Sequence, residues 1–164
     1  SKAIEINPKD ADAYYNRGIS KRKLGDNYGA ISDYTKSIEI NPRNANAYYN
    51  RGNAKSNLKD YEGAIKDYKT AIRLDPYEEP YYGMLGNSLA KIGDNYGAIS
   101  SYSNAIKINP KSSKAFANRG IDKKAIGDMK GACSDWRKAS SLGAEYAAKW
   151  VRKHQRLKYP QDPR

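Results

Sequence analysis

The sequence predicts an all-α solenoid in which antiparallel helix pairs stack one on the next. Three observations predict it. The dipeptides NP, NP, DP and NP begin at residues 7, 41, 75 and 109, a recurrence of 34 residues that orders the chain. Each full period then places an aromatic fourth, glycine eighth, alanine twentieth and a second aromatic twenty-fourth. Short polar residues suited to helix N-caps stand ahead of its helical stretches.

Taken in order, residues 1–10 (SKAIEINPKD) align with the closing part of a unit, Ala3, Ile4 and Ile6 matching Ala71, Ile72 and Leu74. The expectation is a chain that starts inside a repeat, cut from a longer array or freed of upstream sequence, with that edge available for self-association. Four units follow at 11–44, 45–78, 79–112 and 113–146. Their first helices open behind Asp10, Asn44 and Ser112, or with Pro80 in the first turn. Their second helices open behind Asp26, Asp60, Asp94 and Asp128, with Gly25, Gly93 and Gly127 closing the helix before. Gly18, Gly52, Gly86 and Gly120 allow two backbones close approach beside Ala30, Ala64, Ala98 and Ala132. Tyr14, Tyr48, Tyr82 and Phe116 fill the wedge with Tyr34, Tyr68, Tyr102 and Trp136. Such a pair cannot bury its face alone, so stacking makes the core. Residues 147–164 continue as a capping helix and tail, with Ala147, Trp150 or Val151, His154 and Leu157 at helical spacing.

This order of aromatic, glycine, alanine, aromatic and proline over residues 11–146 resembles the tetratricopeptide repeat (TPR). The resemblance implies a right-handed superhelix and a non-catalytic protein-binding role. The stretch GACSDWRKASSLGAEYAAKWVRK also looks like the closing module of many bacterial members. Two departures stand out: arginine at the seventh position of three units where the family has leucine, and Ala144 where the fourth unit should have proline.

The arginines have candidate partners. Asp33, Asp67 and Asp135 occupy the twenty-third position in the units that carry Arg17, Arg51 and Arg119, whereas the third unit has Leu85 and Ser101. Arginine and aspartate are lost together. Positions seven and twenty-three lie at similar heights on facing helices, so the expectation is a partly buried ion pair within each unit. Pairing to the preceding unit would instead leave Asp67 opposite Leu85.

Composition narrows the function. The mean hydropathy of −0.95 suits a thin, repeated core. No apolar run exceeds three residues, which excludes a membrane-spanning helix in the chain as given. A soluble, cytoplasmic protein is expected, with an upstream targeting segment left open. Cys133, the only cysteine, stands where the other units have Ile31, Ile65 and Ile99, so it reads as core. His154, the only histidine, lies among Arg152, Lys153 and Arg156 in the cap. GDNYGAIS, at 25–32 and 93–100, lacks phosphate-loop spacing and is a turn. No catalytic set, metal site or cofactor is therefore expected.

Binding remains. Stacking leaves the first helices lining a concave groove, where positions 2, 5, 6, 9, 12 and 13 face a ligand. The candidates are Tyr15, Asn16, Ile19, Arg22 and Lys23; Tyr49, Asn50, Asn53 and Ser56; Met84, Asn87 and Lys91; and Lys114, Asn118, Ile121 and Lys124. The family resemblance implies that Asn16, Asn50 and Asn118 bond an extended peptide's backbone, a task that suits an amide because it donates and accepts. Tyr15 and Tyr49 supply flat contact area. The clamp that holds chaperone tails in some relatives is matched at two of its five positions at best, by Asn53 and Lys114, so such tails are not favoured ligands.

With 30 basic and 18 acidic side chains the net charge is +12, which favours an acidic partner. The excess concentrates at the C-terminal end. Lys149, Arg152, Lys153, Arg156 and Lys158 there offer a second reading, nucleic-acid or anionic-surface binding, though without an aromatic platform beside them.

Overall fold

The computed structural model describes residues 2–156, with the backbone alone at 155 and 156. These residues form ten helices and no strand: α1 (Lys2–Ile6), α2 (Ala11–Lys23), α3 (Asn27–Ile40), α4 (Ala45–Asn57), α5 (Tyr61–Leu74), α6 (Glu79–Lys91), α7 (Asn95–Ile108), α8 (Ser113–Ala125), α9 (Met129–Ser141) and α10 (Glu145–Arg156). The closest packing is within the pairs α2/α3, α4/α5, α6/α7 and α8/α9, and each pair then packs on the next. The first helices also touch one another, α2 with α4, α4 with α6 and α6 with α8. That places them along one side of the solenoid.

Local chemistry sets the helix ends. Asp10, Asn44 and Ser112 accept from the backbone N–H groups of Ala13, Ala47 and Ala115. Asp26, Asp60, Asp94 and Asp128 do the same for Gly29, Gly63, Gly97 and Gly131. Each such cap is worth about 1 kcal/mol. Helix α6 opens behind Glu78 without a side-chain cap, and Pro80 fills its first turn. The turn between the helices of a pair needs a left-handed residue, supplied by Gly25, Gly93 and Gly127 at φ 85°, 84° and 87°. In the second pair Lys59 adopts φ 65° in their place.

The core repeats with the sequence. Ala30, Ala64, Ala98 and Ala132 are fully buried, and Tyr34, Tyr68, Tyr102 and Trp136 lie against Gly18, Gly52, Gly86 and Gly120. A β-carbon at Gly52 would stand 2.7 Å from Tyr68 Cε1, so the close approach requires glycine. At the N-terminal end Ala3 is exposed, unlike its buried counterpart Ala71, whereas Ile6 and its counterpart Leu74 are both exposed.

Ala144 has a structural explanation. Helix α9 is one residue shorter than α3, α5 and α7, and Gly143 at φ 95° ends it with the kind of turn used inside a pair. No proline break is needed, and α10 folds back onto α9. Ala147 and Val151 are buried there, and half-buried Trp150 packs edge-on against Trp136 at 5.4 Å between ring centroids. The His154 ring lies 5.3 Å from Trp136, and its Nδ1 is 2.8 Å from the Trp150 carbonyl oxygen. Leu157 and Lys158, expected in the cap and its basic face, lie outside the described residues.

Candidate binding groove

Three ionic posts, each built on a buried aspartate, brace the helix pairs beside the candidate groove. Arg17 Nε and Nη2 donate to Asp33 at 2.8 and 2.6 Å, Arg51 to Asp67 at 3.0 and 2.7 Å, and Arg119 to Asp135 at 2.8 and 2.7 Å. The aspartates are 3–4% exposed. The pairs form within each unit, as position seven and twenty-three predict. Sequence reasoning missed the third member: Lys21, Lys55 and Lys123, one turn after each arginine, reach the same carboxylates at 3.0, 2.8 and 2.9 Å. The signal was present, because Leu89 replaces that lysine in the unit where Leu85 and Ser101 replace the other two. The arginine's remaining nitrogen reaches the previous pair, Arg51 Nη1 donating to Thr35 Oγ1 and Arg119 Nη1 to Ser103 Oγ. Lys69 stands at the equivalent place before Leu85. Burial pushes the Asp33 carboxyl upward, but the bonds from Arg17 and Lys21 outweigh it and hold the group below its ordinary range.

On the first helices, some of the predicted site residues are joined by hydrogen bonds and ring contacts in two separate groups. Asn50 Nδ2 donates to the Tyr15 hydroxyl at 3.0 Å and to the Asn46 carbonyl at 2.9 Å, and Tyr81 donates to Asn46 Oδ1 at 2.9 Å. Tyr49 packs between Tyr68 and Tyr81 with its ring tilted against both, at 5.9 and 4.9 Å between centroids. Asn118 Nδ2 donates to Asn87 Oδ1 at 3.0 Å, bridging the third and fourth pairs. Asn16 and Lys114 are exposed beside these contacts.

Position nine has a role that sequence reasoning did not find. Asn53 and Asn87 accept the buried hydroxyls of Tyr68 and Tyr102, each at 2.8 Å. In the first unit Ile19 stands at that position, and the Tyr34 hydroxyl is buried without a hydrogen bond. Arg22 lies beside it, its Nε also buried and unbonded.

Asp122 was equally unforeseen. It is 5% exposed on α8, with no hydrogen bond or ion pair among the described residues, and burial pushes its carboxyl up to about 6. The other units carry Ser20, Ala54 and Ser88 at its place. Ile121 and Lys124 beside it are exposed.

Cys133 is half-buried, as Ile31 and Ile99 are at the same position, whereas Ile65 is buried. Lys149, Arg152 and Lys153 are exposed on α10, while the side chain of Arg156 lies outside the described residues. Among the described residues no three histidine, cysteine or acidic side chains gather to hold a metal, and no helix is long and apolar enough to cross a membrane.

Stacked helical hairpins whose first helices share a tyrosine- and asparagine-bearing side define a helical-repeat solenoid. Models of the tetratricopeptide repeat match residues 1–31, 45–78 and 79–112, and a TPR repeat model matches 20–59. The chain belongs to the tetratricopeptide-repeat family. No curated protein matches it significantly. Among solved structures, a crystal structure of MamA superposes with a TM-score of 0.84 at 24% identity, covering 90% of this chain and 86% of that one. MamA 41-end from Desulfovibrio magneticus RS-1 gives 0.80 at 22%, covering 85% and 78%. The first TPR of Spaghetti (RPAP3), bound to the HSP90 peptide SRMEEVD, gives 0.70 at 23%, covering 71% and 93%. At these identities the likeness is one of fold.

Proposed function

We propose that this chain is a non-catalytic scaffold that holds an extended, predominantly acidic segment of a partner protein along the inner face of α2, α4, α6 and α8. One observation carries the reading. Arg22 stands half-buried on that wall beside Tyr15 and Tyr34, a partly desolvated guanidinium whose accessible part is placed to meet a partner's carboxylate. Amide capacity is also left over. Asn50 and Asn118 use their NH2 groups within the chain and keep their carbonyl oxygens, whereas Asn53 keeps its NH2. The net charge of +12 favours the same acidic class of partner. The RPAP3 neighbour offers a fold-level analogy, its bound segment SRMEEVD being acidic.

A photo-crosslinking residue tests this. Placed at Asn53 it should capture a partner segment from cell extract, and an Asn16, Asn50 and Asn118 triple alanine variant should lose that product. At Tyr28, exposed on α3 away from the first helices, the same group should capture nothing comparable. Equal capture at both positions would overturn the proposal.

A further inference from the structure

The groove changes character between the third and fourth pairs. Tyr15 and Tyr49 occupy position five in the first two units, but Gly83 replaces them in the third. Nothing in the fold asks for glycine there, since an added β-carbon would meet only Glu79 Oε1 at 3.9 Å. The missing ring leaves a cavity of about 290 Å³ between Tyr49 and Asn118. A second cavity, of about 460 Å³, adjoins it and shares Met84, Asn87, Tyr102 and Asn118. Asp122 lines this second cavity.

A carboxylate in that position is a liability to the fold. It is 5% exposed, it has no partner among the described residues, and serine or alanine fills the same place elsewhere. Three other aspartates of this chain are buried as deeply, and each has an arginine and a lysine. No described residue supplies a counter-charge to Asp122, and a basic side chain of a bound segment would supply one.

We propose that this part of the groove is a side-chain pocket for a lysine or arginine of the bound segment, with the Asp122 carboxylate as its counter-ion. The inference rests on the groove reading above and adds a cationic residue to an otherwise acidic segment. A lysine or arginine stem has room over Gly83, along Met84 and the Tyr102 ring, while its head reaches Asp122. Asn87 is pinned by Tyr102 and Asn118, so this wall is preorganised. Lys91 from α6 stands exposed at the rim, and Tyr61 from α5 and Tyr102 from α7 are the other titratable groups facing the cavity. None of them forms an ion pair with the carboxylate.

The test is selection of displayed random 12-residue peptides on the whole chain at pH 7.5. The wild type should enrich sequences with lysine or arginine at one fixed place by about tenfold, as expected for a close desolvated charge pair. Asp122→Asn, nearly isosteric, should still select peptides but without that preference. Gly83→Tyr should also lose it while the acidic preference persists. At pH 5 the preference should weaken, because the carboxyl near 6 is then mostly protonated. If peptides are selected without a fixed cation, or if Asp122→Asn keeps the preference, the pocket is overturned and the groove stands. If nothing is selected from the library, both readings fall.

Discussion

Arg51 and Asp67 meet as two parallel hydrogen bonds of 3.0 and 2.7 Å, and Lys55 closes the third side of the carboxylate at 2.8 Å. The third helix pair builds the same location from Leu85, Leu89 and Ser101, all buried, with the Ser101 hydroxyl bonded to the Gly97 carbonyl. The two solutions should be interchangeable as sets and not piecemeal. Asp67→Ser alone strands two cations and should cost about 3–5 kcal/mol, as should Arg51→Leu. The triple change Arg51→Leu, Lys55→Leu and Asp67→Ser should regain most of that in urea unfolding. A triple variant no better than the singles would show that the triad is not a replaceable unit.

Two aspartates should pull the pH profile in opposite directions. Asp33 has a folded pKa below its unfolded value, so its contribution is present above the unfolded pKa and is lost as pH falls through the folded one. Asp122, at about 6, is raised, so the chain should gain stability as pH drops from neutrality towards 4. Asp122→Asn should remove that gain and stabilise the protein at pH 7.5 by on the order of 2 kcal/mol. Urea midpoints from pH 3 to 8 read both effects. A variant less stable than wild type at pH 7.5 would contradict the account.

Glycines of the first helices should respond with opposite signs. Gly52→Ala drives a β-carbon to 2.7 Å from a fully buried Tyr68 and should cost about 1–3 kcal/mol. Gly83→Ala enters open space and should stabilise by about 0.5–1 kcal/mol through helix propensity. Thermal unfolding of the two variants settles it.

The buried tyrosine hydroxyls differ in the same way. Tyr68→Phe and Tyr102→Phe each break a 2.8 Å bond to asparagine and should cost about 1 kcal/mol. Tyr34→Phe removes a hydroxyl that bonds nothing and should be close to neutral. Equal losses in all three would refute the assignment of Asn53 and Asn87 as the acceptors.

Repetition made the fold legible. Glycine facing an aromatic, aspartate caps and left-handed glycines recur in register, so each could be read by comparing units. The arginine–aspartate posts were legible for the same reason, through the one unit that abandons them. What stayed hidden depends on contacts at other spacings. Thr35 and Ser103 reach arginines of the following pair, and the tyrosine-to-asparagine bonds join positions that no motif couples. Asp122 stayed hidden because a lone aspartate on a helix reads as a solvated side chain, and only its depth in the fold distinguishes it.

The hydroxyl bridges from Thr35 to Arg51 and from Ser103 to Arg119 have no counterpart between the second and third pairs, where Lys69 precedes Leu85. There an oily seam of Ile65, Tyr68, Leu85 and Leu89 runs across the boundary instead. The rod is thus jointed in two materials, with ionic hinges at either side of a greasy middle. Acid, by protonating the Asp67 and Asp135 carboxylates that hold those arginines in place, and salt act on the first kind and scarcely on the second. Under such stress the array should loosen from its flanks inward, leaving α5, α6 and α7 as the last segment to give way.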